Sequence, residues 1–158
     1  MTNGQPGRIL IATHNWTATP TYLTHPIGVH YTGAGSAGRW HVGTINGAAL
    51  PETSAFNIYS QSPSPNAFRL EAQAGANRVT IDHPLINDVS CAAIHVTRII
   101  PSGATGPVAA HDLEFSPAIG RWRIFSPASY QAGTAFNVVI DPAQVFTCTD
   151  RIFADGFD

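Results

Sequence analysis

Of the chain's seven histidines, His14, His25, His30 and His41 crowd roughly its first quarter. If Tyr31 faces Trp40 across the glycine-rich turn from Gly33 to Gly38, side-chain alternation puts Val29 opposite Val42 on one side of the ribbon and His30 opposite His41 on the other. Two imidazoles so placed can share a divalent metal when a third ligand arrives from a neighbouring strand. Without that ligand they are a solvated polar couple. No histidine pair has the i, i+4 helical spacing of a zincin, and no paired Cys-x-x-Cys motif is present. Beyond this one candidate ion no cofactor is expected. His25-Pro26 and His83-Pro84 are held extended by the prolines that follow, and a ring nitrogen bonded to a nearby backbone carbonyl is their expected role.

A second chemistry lies in the segment from His14 to Tyr22. Loop aromatics beside amides and hydroxyls are what a sugar-binding surface uses, because a ring stacks on the C–H face of a sugar while Asn and Thr bond its hydroxyls. His14, Asn15, Trp16, Tyr22 and, at the entry to the next strand, His25 form the candidate ligand-binding set. A third pattern dissolves on inspection. Gly33 to Gly38 spells G-x-G-x-x-G, but a dinucleotide site needs a helix after it, and here Arg39-Trp40-His41-Val42 reads as another strand. Ser36, placed almost as in a nucleophile elbow, fails the same requirement. No catalytic residue is nominated.

The elements that must position these groups are written twice. Gly38-Arg39-Trp40 returns as Gly120-Arg121-Trp122, and Ala55-Phe56-Asn57 returns as Ala135-Phe136-Asn137. The period of about 80 residues implies two copies of one unit. Setting Asn3 on Asn87 matches Leu10, Ala12 and Thr13 to Ile94, Val96 and Thr97. In the second hairpin Phe115 then faces Trp122 and Leu113 faces Ile124, while Glu114 and Arg123 stand where the first has His30 and His41. Tyr31, Trp40, Phe115, Trp122, Phe56 and Phe136 are the expected structural aromatics. Phe136 to Ile140 and Val145 to Thr149 read as successive strands, with Phe146 and Cys148 turned to the core.

The expected fold is all-β: two pseudo-twofold related repeats of about 80 residues forming one β-sandwich or barrel. The single domain covers residues 1–158, with a first repeat at 1–77, a bridging strand and second repeat at 78–150, and a tail strand at 151–158. The first unit lacks the strand that bridges into the second, so Arg151 to Ala154 is expected to fold back and complete it, or to pair with a neighbouring molecule.

Composition agrees with one β-rich core. The chain has 158 residues, 44% apolar and 11% charged, with fourteen glycines and twelve prolines breaking apolar runs into short pieces. All of its basic residues are arginine, they form no cluster, and the net charge is -2. Nucleic acid and membrane insertion are therefore excluded as expectations. An even cysteine count permits one disulfide, Cys91 to Cys148, worth roughly 4 kcal/mol in the loop-entropy picture, with two buried thiols as the alternative. Secretion or periplasmic residence, with a leader removed, is the expected location.

The runs Thr13-His14-Asn15-Trp16, His25-Pro26-Ile27-Gly28-Val29 with Tyr31, Trp40, and Ala55-Phe56-Asn57 together resemble a tandem-repeat domain of unknown function found in bacterial secreted proteins. Ile81 to Asn87 is similar to the segment that opens each repeat of that family. The second copy departs from it at Arg98-Ile99-Ile100 and Asp112-Leu113-Glu114. The ending Ile152 to Asp158 is similar to short tails of bacterial secreted proteins. The resemblance implies fold and location, and supplies no reaction or ligand. Three functions follow as expectations: an exported non-enzymatic binding or adhesion module contacting a glycan or cell-surface polymer, a structural protein that self-assembles through its C-terminal strand, and a metal-dependent or serine hydrolase. The first is preferred.

Overall fold

A computed structural model describes residues 3–16, 22–34, 37–101 and 109–146. Ten strands and no helix occur among them: β1 (Ile9–His14), β2 (Ile27–Thr32), β3 (Arg39–Thr44), β4 (Phe56–Gln61), β5 (Ala67–Glu71), β6 (Arg78–Ile81), β7 (Cys91–Ile99), β8 (Asp112–Ser116), β9 (Arg121–Phe125) and β10 (Ala135–Phe146). They form three sheets, ordered β1-β4, β3-β2-β7-β10-β5 and β6-β9-β8. None closes into a barrel, so the barrel alternative is set aside. β2 meets β7 in parallel at the single pair Val29 and Ile99, too brief a junction to carry the sheet around.

The five-stranded sheet is the middle layer. Alternation along β10 sends Phe136, Val138 and Ile140 to one face, where they form the main core with Ile81 and Ile124 of the three-stranded sheet. The same alternation sends Asn137 and Val139 to the other face. There Val139 and Ala67 pack on Ile9 and Ile11 of β1, while Val29, Trp40, Val42 and Ile99 surround Leu10 and Ala12. β1 is thus apolar on both sides, which is why Ile9 to Ala12 is the densest apolar run in the chain.

Burying β1 creates a hydrogen-bonding problem. One edge pairs with β4, and the other meets no strand among the described residues. Two side chains take the place of one. Thr97 and Asn137, opposite each other on β7 and β10, reach up from the middle sheet. The Ala12 amide donates to Thr97 Oγ1 at 3.0 Å, and Asn137 Nδ2 donates to the Leu10 carbonyl at 3.0 Å. Asn137 is 1% exposed, so neither partner has water as an alternative.

Both hairpins take the register that alternation predicts. Tyr31 pairs with Trp40, Val29 with Val42 and His30 with His41; Phe115 pairs with Trp122, Leu113 with Ile124 and Glu114 with Arg123. Glycine is required beside each turn: a Cβ on Gly38 would run into the Tyr31 ring, and one on Gly120, at φ 61°, into the Asp88 carboxylate. The Glu114 carboxylate lies 2.9 Å from Arg123 and 2.8 Å from Arg78.

The last strand departs from expectation. β10 runs without a turn from Ala135 to Phe146, with a bulge between Ile140 and Val145 in which Asp141 Oδ1 accepts the Ala143 amide. The extra residues reverse the facing, so Val145 packs on the core and Phe146, expected inside, is 55% exposed. Cys148, expected beside it, and the tail strand Arg151 to Ala154 lie outside the described residues.

Replacing Asn137 with Ala deletes the donor to a buried carbonyl and is expected to lower the unfolding free energy by about 1–3 kcal/mol. Asn57→Ala, an exposed amide at the corresponding register of β4, is expected to stay within about 0.5 kcal/mol of the parent. Equal urea midpoints for the two variants would contradict this account of the β1 edge.

Candidate functional site

Two places collect residues nominated from the sequence, and a third lies apart from them. The first is an aromatic ridge at the end of β1. Strand pairing sets His14 against Phe56, with ring centroids 6.0 Å apart. The chain then turns so that Trp16 lies edge-on to His14 at 4.5 Å, and Tyr22 lies edge-on to Trp16 at 4.9 Å. Trp16 is 50% exposed and Tyr22 77% exposed. Both His14 ring nitrogens are buried under this stack and find no partner among the described residues. Asn15, between His14 and Trp16 in the chain, turns its amide away from the rings and donates to Asn57 Oδ1 at 3.1 Å. His25 does not join the ridge, because its Nδ1 is engaged by the Asn46 amide at 3.1 Å beyond the end of β3. Residues 17–21, which complete this loop, are outside the described residues.

The second place is the histidine couple. His30 and His41 stack at 5.1 Å with planes 13° apart, and His41 Nε2 lies 2.8 Å from Thr32 Oγ1. Burial, and then the neighbouring His41, hold the His30 imidazole below its usual pKa, favouring the neutral ring. No group of three His, Cys, Asp or Glu side chains able to hold a metal occurs among the described residues. The parallel stack suits ring packing better than two lone pairs converging on one ion.

The third place escaped the sequence reading. A cleft of about 730 Å³ opens between the β1-β4 sheet and the middle sheet beside the β10 bulge. Ile11 and Val139 give it an apolar lining; Thr13, Asn57, Tyr59 and His95 add polar groups. Its volume lies in the usual range for ligand sites, about 300–1,000 Å³. The signal for it was present: Thr13, Asn57 and Tyr59 fall on one face of the β1-β4 pair, but only the layer order reveals that this face is left partly uncovered.

His83 and His111 are packed into the structure. His83 Nε2 lies 3.0 Å from the Pro65 carbonyl, and the ring stacks on Phe68 at 5.9 Å, the bonding pattern expected before a proline. His111 packs edge-on to Phe136 at 5.2 Å. Burial, reinforced by Arg98, lowers its pKa, with Asp112 opposing. Tyr130, buried and donating its hydroxyl to the Ile124 carbonyl at 2.8 Å, is pushed up to about 12 by desolvation.

Residues 34–140 match a family described as a domain of unknown function, DUF7452. The chain belongs to the DUF7452 family. No curated protein and no solved structure matches it. The DUF7452 match begins within the first hairpin turn and ends at Ile140, so it takes in the β4 side of the cleft while the aromatic ridge, His14 to Tyr22, precedes it.

Because His30 and His111 both have lowered pKa values, the unfolded chain binds protons more readily than the folded one as pH falls through about 6.5. Stability from these groups is complete above that pH and declines below it. Urea midpoints measured from pH 8 to pH 5 should fall on the acid side, and His111→Gln should flatten the decline. A midpoint rising toward pH 5 would contradict the assignment.

Proposed function

We propose that this chain is an exported, non-enzymatic binding module, made of two copies of one β-rich unit, whose first copy carries a glycan-contacting surface at Trp16 and Tyr22. The observation that carries the reading is the aromatic ridge: two large rings are packed against each other yet left mostly in water. Burial would normally claim such surface, and mutual edge-on packing fixes the rings as a platform for the C–H face of a sugar.

Duplication is supported by interactions that recur at matching positions. Trp40 Nε1 donates to the Gln5 carbonyl at 3.0 Å, and Trp122 Nε1 donates to the Val89 carbonyl at 2.8 Å. The Gly4 amide bonds the Gly38 carbonyl as the Asp88 amide bonds that of Gly120, each at 2.8 Å. Gly4 and Asp88 share positive φ values of 71° and 61°. In this reading Arg151 to Ala154 corresponds to β6 and completes the first unit along β3, whose outer edge has no partner strand among the described residues. Export is supported by the even cysteine count and the scarcity of charge. Cys91 opens β7 opposite Phe146, two residues before Cys148 in sequence.

One observation favours assembly as a second reading. β4 is an edge strand with no charged residue, and it exposes Ile58 and Tyr59 on opposite faces. Sedimentation that stays monomeric over a wide concentration range would remove that reading.

On an array of bacterial and host glycans the protein should bind a restricted set, and Trp16→Ala should weaken each hit at least tenfold. Binding that survives this substitution unchanged would refute the ridge as the contact. The protein purified from an oxidising compartment and then denatured should show no free thiol toward Ellman's reagent; two thiols per chain would refute the Cys91–Cys148 bridge.

A further inference from the structure

The cleft beside the β10 bulge repeats, with no strand in it among the described residues, the device that holds β1. Thr97 and Asn137 face each other across β7 and β10, and Thr13 and Asn57 face each other across β1 and β4. Each asparagine follows an Ala-Phe, in Ala135-Phe136-Asn137 and Ala55-Phe56-Asn57. The first pair grips the outer edge of β1 by a carbonyl and by the amide two residues further on, Leu10 and Ala12. That spacing is the repeat of an extended backbone, and it asks nothing of side chains. The second pair is exposed and lines the cleft with Ile11, Tyr59 and His95.

Asn57 is also oriented for the same task. Its Oδ1 accepts from Asn15 Nδ2 at 3.1 Å, which uses the oxygen and leaves the amide nitrogen as the donor. Nδ2 is the atom that Asn137 uses on the Leu10 carbonyl. The hydroxyl of Thr13 supplies the acceptor, as that of Thr97 does for the Ala12 amide.

We infer that this cleft binds an extended peptide segment of another chain, held by its backbone through Asn57 and Thr13 with alternate apolar side chains against Ile11 and Val139. A sugar can also bond an amide and a hydroxyl, but the peptide is favoured because the same residue pair already holds a strand edge in this molecule. The inference does not rest on Trp16 or Tyr22: His14 and Phe56 alternate to the face of the β1-β4 pair opposite Thr13 and Asn57, and Asn15 is the residue that touches both sites.

The probe is a capped, fluorescein-labelled octapeptide with the sequence of residues 8–15, the segment that the Thr97–Asn137 pair holds, with cellohexaose as the comparison. Fluorescence polarisation should show saturable peptide binding, and in ¹⁵N spectra the Asn57 side-chain amide and the His95 backbone should shift. Asn57→Asp, which keeps the shape and removes the donor, and Thr13→Ala/Asn57→Ala should each weaken binding at least tenfold with thermal midpoints near the parent. Trp16→Ala should leave it unchanged. The inference is overturned by an absence of saturation, by equal affinity in Asn57→Asp, by shifts confined to Asn137 that mark exchange with β1 itself, or by cellohexaose producing the Asn57 shifts in the peptide's place.

Discussion

A two-stranded sheet lies on a larger one only if the backbone groups along its buried edge find partners, and in this molecule Thr97 and Asn137 bond two of them, the Ala12 amide and the Leu10 carbonyl. The remainder of the architecture follows from that constraint. β1 is apolar on both faces, and these two bonds let its edge turn toward the middle sheet. Its depth in turn fixes where β4 stands, where the chain emerges at Asn15 and Trp16, and how wide a gap remains above Val139. An apolar residue at 137 would pack as well and leave the Leu10 carbonyl stranded, at a cost comparable to a sizeable fraction of a small domain's stability.

Much of the fold was legible because β-structure writes its facing into alternate residues. The hairpin registers follow from the spacing of Tyr31 to Trp40 and Phe115 to Trp122, since a one-residue slip would have exposed every apolar side chain on the ribbon. The run from Ile140 to Val145 was not legible in this way. Asp141-Pro142 reads equally as a turn or as a bulge, and only the partner strand decides; β7 offers Ile94 and Ala92 to either side, and β10 continues along it. That single ambiguity turned Phe146 outward.

The candidate sites divide along the same line. Placing His30 against His41 needed only the pairing within one hairpin, so that couple was readable; His14 against Phe56 joins two strands that are not neighbours in sequence, and no short-range pattern announced it. Grouping His25 with Trp16 needed the path of a loop, and a local bond to Asn46 drew the ring away. The cleft needed the order of layers, which no short-range pattern encodes: Thr13 and Asn57 look like ordinary surface polars until β7 and β10 are set beneath them.

β10 occupies the interior of the middle sheet, between β7 and β5, yet it is the last of the described strands along the chain. During synthesis, β5 emerges with its neighbour still unmade, and β1 emerges before either of the side chains that hold its edge. β1 can pair with β4 and β2 with β3 before that, but the layer on which they settle is incomplete until β10 is made. Completion of the middle sheet therefore waits on β10, the strand that joins β7 to β5.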